Sequence, residues 1–235
     1  MSLSRIALSS ILVAGLASAA SAAYVNATFT GVTPGVTVNL QDTNNAISLN
    51  NVGAGGFNFT RTGGTATDPY LTGSYVTFCI DISKTVAVNG NYGWSQTALE
   101  NAPTPPGGPN SNFPMGAAKA ALIGKLWGAH RGGLSTGVEF GAFQLAIWEI
   151  IFENSNTLDV LNGNFIVSGG NVDSGNARTL ANSWLSTVAA QAAYGGLYAL
   201  TGNTADGNPQ DQLVPTPGSL ALCGLGGLVL ARRRR

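Results

Sequence analysis

The densest apolar stretch of the chain runs from Phe140 to Phe152, FGAFQLAIWEIIF. Its flanks predict a helix from Thr136 or Val138 to about Glu153, ended by Asn154 to Asn156. At about 100° per residue, Glu139, Glu149 and Glu153 fall within about 80° of one another, and Gln144 points opposite their mean direction. A carboxamide is therefore expected in the middle of the apolar face, with Phe140, Gly141, Ile147 and Trp148 one turn away. A buried carboxamide left without a partner costs on the order of 1–3 kcal/mol, so a backbone group, a water or a second side chain must meet it.

Before that helix the pattern changes period. From Tyr24 to about Asn89 the segments YVNATFTG, VTVNLQ, AISLNN, FNFTRT, TGSYVTFCIDIS and TVAV are rich in β-branched and aromatic residues and are cut by Gly, Pro and Asn turns, which predicts strands. In the fifth, Tyr75, Thr77, Cys79 and Asp81 share one face and Val76, Phe78, Ile80 and Ile82 the other, so Cys79 is expected on the less apolar side. Asn101 to Pro114 reads as a loop that divides this β-rich part from a helical one. Further helices are expected over Gly116 to Ala129, with His130 and Arg131 as cations at its C-terminus, and over Ser174 to Ala193. The run FIVSG between them predicts a strand returning to the sheet. The expected fold is α+β, an antiparallel β-sandwich or barrel-like sheet with a helical portion of about three helices.

The two ends read differently. Residues 1–22 carry one arginine, an apolar stretch from Ile6 to Ala20 and the small-residue site Ala20-Ser21-Ala22, which is the layout of a secretory signal peptide. A domain is expected over 23–201 and a Gly/Asn/Asp/Gln-rich linker over 202–213. Then follow Pro215, Thr216 and Pro217, a short apolar segment over 218–231, and Arg232, Arg233, Arg234 and Arg235. The arginines favour the cytoplasmic side, and the apolar run is short for a bilayer core of about 30 Å, so a transient membrane anchor is expected. Residues 214–235 resemble the PEP-CTERM sorting signal of bacterial exported proteins, with Thr216 where that signal usually has glutamate. The resemblance implies an exosortase-type processing protease as a partner. It also implies delivery to the cell surface or extracellular matrix of a Gram-negative-type bacterium, where such proteins contribute to biofilm.

Charge and cysteine usage sharpen this picture. Within the body, Arg61, Lys84, Lys119, Lys125, Arg131 and Arg178 stand against eleven acidic residues, a net charge of −5. With no basic cluster, nucleic acid is an unsuitable partner. One of the two cysteines, Cys223, lies in the terminal apolar run, so the body carries a lone Cys79. One cysteine and one histidine, His130, do not make the usual spaced metal-ligand set, and no cofactor is expected.

A lone thiol in an oxidising compartment and a misplaced glutamine solve each other's problem. Attack of the Cys79 sulfur on the Gln144 carbonyl carbon would release ammonia and leave a γ-glutamyl thioester, shielded from water by Phe78, Phe140, Phe143 and Trp148. Thr77-Phe78-Cys79-Ile80-Asp81 and Gln144-Leu145-Ala146-Ile147-Trp148 resemble the two motifs of the bacterial Cys-Gln thioester domains of surface adhesins, with Phe143 where that family often has threonine. The resemblance implies that Cys79 and Gln144 form the bond. It implies single-turnover covalent attachment to a protein amine or glycan hydroxyl, and not an enzyme. The competing readings are a noncovalent structural or biofilm-matrix protein without a thioester, and a cysteine hydrolase built on Cys79, His130 and Asp81.

Overall fold

The computed structural model describes residues 23–103, 114–155, 157–202 and 207–216. The six predicted N-terminal segments form fewer and longer strands. YVNATFTG and VTVNLQ run together as β1 (Tyr24–Asp42), and AISLNN and FNFTRT as β2 (Ile47–Gly63). These two pair antiparallel along their whole length, with register shifts that bend the ribbon. Midway the backbones close on one another so tightly that a Cβ at Gly35 would meet the Ala54 carbonyl oxygen at 2.5 Å, and one at Gly55 the Pro34 carbonyl oxygen at 2.3 Å. The glycines that looked like turns are the places where a continuous hairpin needs no side chain.

The remaining strands are β3 (Ser74–Cys79), β4 (Asn91–Ala98), β5 (Phe165–Ser168), β6 (Leu197–Gly202) and β7 (Gln212–Pro215). All pairings are antiparallel, in the order β2-β3-β7-β6-β4-β1, and the β1–β2 pairing closes the ring into a six-stranded barrel. β5 adds to the far half of β1, from Asn39 to Asp42. The mixed α+β expectation and its barrel-like sheet hold. The segment TVAV does not form a strand; β4, which follows it, is paired to both β1 and β6.

The helices are α1 (Ala117–His130), α2 (Gly137–Phe152) and α3 (Val172–Val188). Thr136 caps α2: its hydroxyl accepts from Glu139 N at 3.2 Å, and the Glu139 carboxylate accepts from Thr136 N at 2.8 Å, a reciprocal capping box. α2 packs on β1, β2 and α3, and all its residues from Phe140 to Phe152 are buried. Two of the three aligned glutamates are buried as well, since Glu149 is fully enclosed and Glu153 is 2% exposed. The segment after α2 folds over that side and donates its backbone N–H groups. Glu149 accepts from Asp159 N at 2.7 Å, and Glu153 from Asn164 N at 2.7 Å and Ser155 N at 2.6 Å.

Two expectations for the C-terminal part are corrected. The linker placed over 202–213 overlaps structured chain: β6 ends at Gly202, and Asp211, Gln212 and Leu213 are buried, the last two opening β7 between β3 and β6. Pro215 closes that strand opposite Leu197. The second correction concerns transmembrane anchoring, since among the described residues no helix is long and apolar enough to cross a membrane. The signal segment over 1–22, Pro217, the apolar run over 218–231 and Arg232 to Arg235 lie outside the described residues.

Candidate functional site

β3 enters the barrel between two neighbours that treat it differently. β7 follows it to its end, pairing Leu213 with Phe78 and Gln212 with Cys79, and Ile80 N donates to Asp211 O at 3.0 Å. β2 leaves it earlier, at the Phe57–Thr77 pair. The backbone N–H and C=O of Cys79 would then be orphaned on the β2 side. α2 fills the gap with a side chain. Cys79 N donates to Gln144 Oε1 at 2.8 Å, and Gln144 Nε2 donates to Cys79 O at 2.8 Å. Two residues 65 positions apart thus share a reciprocal pair of hydrogen bonds, and neither has any exposed surface.

The sulfur has its own partners. Cys79 Sγ donates to Asp81 O at 3.3 Å and accepts from Asp81 N at 3.4 Å, because the chain turns sharply just past β3. The Trp148 indole N–H has no hydrogen bond of normal geometry, yet it lies close enough to the sulfur to favour the thiolate. Burial outweighs both influences and raises the thiol pKa well above the usual range, so the resting group is S–H. Cys79 was expected on the less apolar side; that face is enclosed, with Thr77 Oγ1 donating to Gln212 Oε1 at 2.8 Å.

Of the four aromatic residues expected around the pair, Phe78, Phe140 and Phe143 form one cluster. Phe78 lies 4.7 Å from Phe143 and 6.1 Å from Phe140, centroid to centroid. Trp148 stands apart from them, at the sulfur. The cluster is closed outward by Trp127 and by the Arg131 guanidinium, which sits 5.5 Å from the Phe78 ring centre and 5.7 Å from that of Phe140. Arg131 was expected only as a helix-end cation; its role as a lid on these rings has no signature in sequence spacing. His130 stacks on Trp184 at 4.4 Å and makes no hydrogen bond to Cys79, and burial lowers its pKa. A hydrolase needs its base at the nucleophile, and this histidine is committed elsewhere.

A charged group lies on the other side of Cys79. Lys84 Nζ is 3.2 Å from Asp81 Oδ2 and 3.7 Å from Asp211 Oδ1. Asp211 Oδ1 also accepts from Gly202 N at 2.7 Å, while its Oδ2 is buried without a partner. Burial raises the Asp211 pKa to about 6, against the lowering effects of the Gly202 N–H and Lys84. Asp211 fell within the expected linker, so no sequence signal placed it here. Among the described residues no group of His, Cys, Asp or Glu side chains is arranged to hold a metal ion.

Two clefts approach this region. One, of about 380 Å³, is walled by Phe29, Val52, Phe57 and Ile82 and has Trp148 and Lys84 in its lining. The other, of about 390 Å³, is lined by Tyr70, Trp127, Arg131, Tyr194 and Pro215. The chain matches no family model, no curated protein and no solved structure.

Proposed function

We propose that this is an exported surface or matrix protein in which Cys79 and Gln144 condense to a γ-glutamyl thioester, used once to attach the protein covalently to an amine or hydroxyl. The observation that carries this reading is the pair of 2.8 Å hydrogen bonds that holds the Gln144 carboxamide against the Cys79 backbone, with both residues fully buried. The Cys79 N–H that already binds Oε1 is placed to stabilise the negative charge that develops on that oxygen as sulfur adds to the carbonyl carbon. The carbon–nitrogen bond then breaks, the thiol proton leaves with nitrogen as ammonia, and a carbon–sulfur bond remains. The thioester oxygen keeps its Cys79 N–H partner; the Nε2 bond to Cys79 O and the S–H donation to Asp81 O are given up. Secretion and tail processing by an exosortase-type protease rest on the resemblances of the two chain ends.

A noncovalent structural protein is the second reading, and a specific observation favours it. The Gln144 amide is fully paired with the Cys79 backbone and the sulfur with Asp81, so neither group requires the other's chemistry to be satisfied. The intact mass of freshly purified protein separates the two. A thioester leaves it lighter by one ammonia, about 17 Da, and Cys79→Ala or Gln144→Ala abolishes the loss. A full mass in the wild type rules the thioester out.

A further inference from the structure

The polar group beside Cys79 has the makings of a reaction as well as of an ion pair. The Lys84 ammonium stands between two carboxylates, 3.2 Å from Asp81 Oδ2 and 3.7 Å from Asp211 Oδ1. Both aspartates are buried, while Lys84 reaches in from the surface with 21% of its side chain exposed. Keeping charges out of water is costly even when they are paired. Joining the ammonium to one carboxylate as an amide would discharge both groups and release a water molecule.

The two carboxylates are not equivalent. Asp81 has both oxygens engaged: Oδ1 accepts from Ser83 N at 2.9 Å and from Ser83 Oγ at 2.6 Å, and Oδ2 faces Lys84. Asp211 Oδ1 accepts from Gly202 N at 2.7 Å, but its Oδ2 is buried without a partner. An amine adds to the carbonyl carbon of a neutral acid far more readily than to a carboxylate. Burial, which raises the Asp211 pKa to about 6, keeps that acid form accessible near neutrality. The main chain holds the reactants in place. Ile80 N donates to Asp211 O at 3.0 Å, and Gln210, the residue before Asp211, donates its side-chain amide to Lys84 O at 3.0 Å. Little freedom is therefore left to lose in bringing nitrogen and carbon to the distance of about 3–3.5 Å at which they react.

We propose that Lys84 and Asp211 form an intramolecular isopeptide bond, with Asp81 as the base that takes protons from the lysine nitrogen. The bond is independent of the thioester. Asp81 takes one of the three ammonium protons, and the neutral amine adds to the carbonyl carbon of protonated Asp211. Asp81 passes that proton to the departing hydroxyl, which leaves as water, then takes a second proton from nitrogen and gives it to solvent. This last proton balances the one Asp211 had taken up. Net, one ammonium and one carboxylate become one amide and one water, and Asp81 is unchanged. The bond joins the segment that follows β3 to the residue that precedes β7, next to the Cys79–Gln212 pair.

The test is the intact mass of Cys79→Ala, a chain that has no sulfur for a thioester. It should be lighter than the unmodified chain by one water, about 18 Da, before and after hydroxylamine, and a chymotryptic digest should join the peptide containing Lys84 to the one containing Asp211. Two further substitutions are made in this background, each confirmed as folded by circular dichroism. Lys84→Arg keeps the charge but has no amine to condense, so it should show the full mass and no joined peptide. Asp81→Asn, with no carboxylate to take the proton, should lower the joined fraction at least about tenfold. A full mass in Cys79→Ala overturns the bond, and a loss of water that persists in Lys84→Arg overturns its assignment to this lysine. A peptide joined at Asp81 overturns the choice of carboxylate, and an undiminished joined fraction in Asp81→Asn overturns the role of Asp81 as base.

Discussion

Gln144 stands in for a strand beside Cys79. Where β2 departs, its carboxamide offers one acceptor and one donor at 2.8 Å each, the same pair of bonds a neighbouring backbone would have made. Gln144→Ala therefore removes packing and leaves two buried backbone groups unpaired. The expected loss is about 3–5 kcal/mol of stability, read from urea unfolding. Gln144→Glu keeps an acceptor for the Cys79 N–H but sets an oxygen against Cys79 O, so it should also destabilise unless the acid is protonated.

The state of the Cys79 sulfur is readable by thiol labelling. Burial and a raised pKa make a free Cys79 unreactive in the folded protein and fully reactive in denaturant. A thioester instead leaves no titratable thiol even after rapid denaturation, until hydroxylamine or methylamine releases one. Labelling in denaturant with and without prior amine treatment decides between them.

Glu149 makes stability fall with pH. Burial raises its pKa from 4.5 to about 8, reinforced by the charges of Glu153 and Asp159 and opposed by the Asp159 N–H. Between 4.5 and about 8 the folded protein holds a proton that the unfolded chain has released, so the stabilisation is complete below this window and is lost as pH rises through it. Glu149→Gln keeps an oxygen for Asp159 N and has no charge to bury. It should raise the midpoint of thermal unfolding at pH 9, with little effect at pH 4.

Gly55→Ala tests the close approach within the long hairpin. With only 2.3 Å between its Cβ position and the Pro34 carbonyl oxygen, the ribbon must open locally, and a loss of about 1–3 kcal/mol is expected in chemical denaturation. Gly132→Ala, with open space around its Cβ position, should be close to neutral.

Local pattern carried the helices and the first three strands, because those segments have strong apolar periods or β-branched runs. It underestimated β1 and β2, since Gly35 and Gly55 read as breaks and serve as contact points. It missed β4, β6 and β7, whose segments NYGWSQTA, LYALTG and QLVP become strands only through pairing with one another and with β1 and β3. The meeting of Cys79 and Gln144 was legible because each residue looked anomalous in its own element. The Asp81–Lys84–Asp211 group was not, because Asp211 comes from a polar stretch whose burial depends on β7 entering the sheet. The burial of Glu149 and Glu153 on α2 was not legible either, because helical periodicity records which side chains align and not what covers them.

The place of β7 has a mechanical meaning. Thr216 N is tied to Gly196 O at 2.6 Å, so any pull on the chain beyond residue 216 arrives first at this strand. From there the tension crosses one ladder, Leu213 to Phe78 and Gln212 to Cys79, and passes through the Cys79–Gln144 hydrogen bonds into α2, where Gln144 would carry the attachment. The shortest load path from tether to attachment thus runs through β7 and β3 into α2, leaving the β3–β7 seam as the part of the molecule that tension would try first.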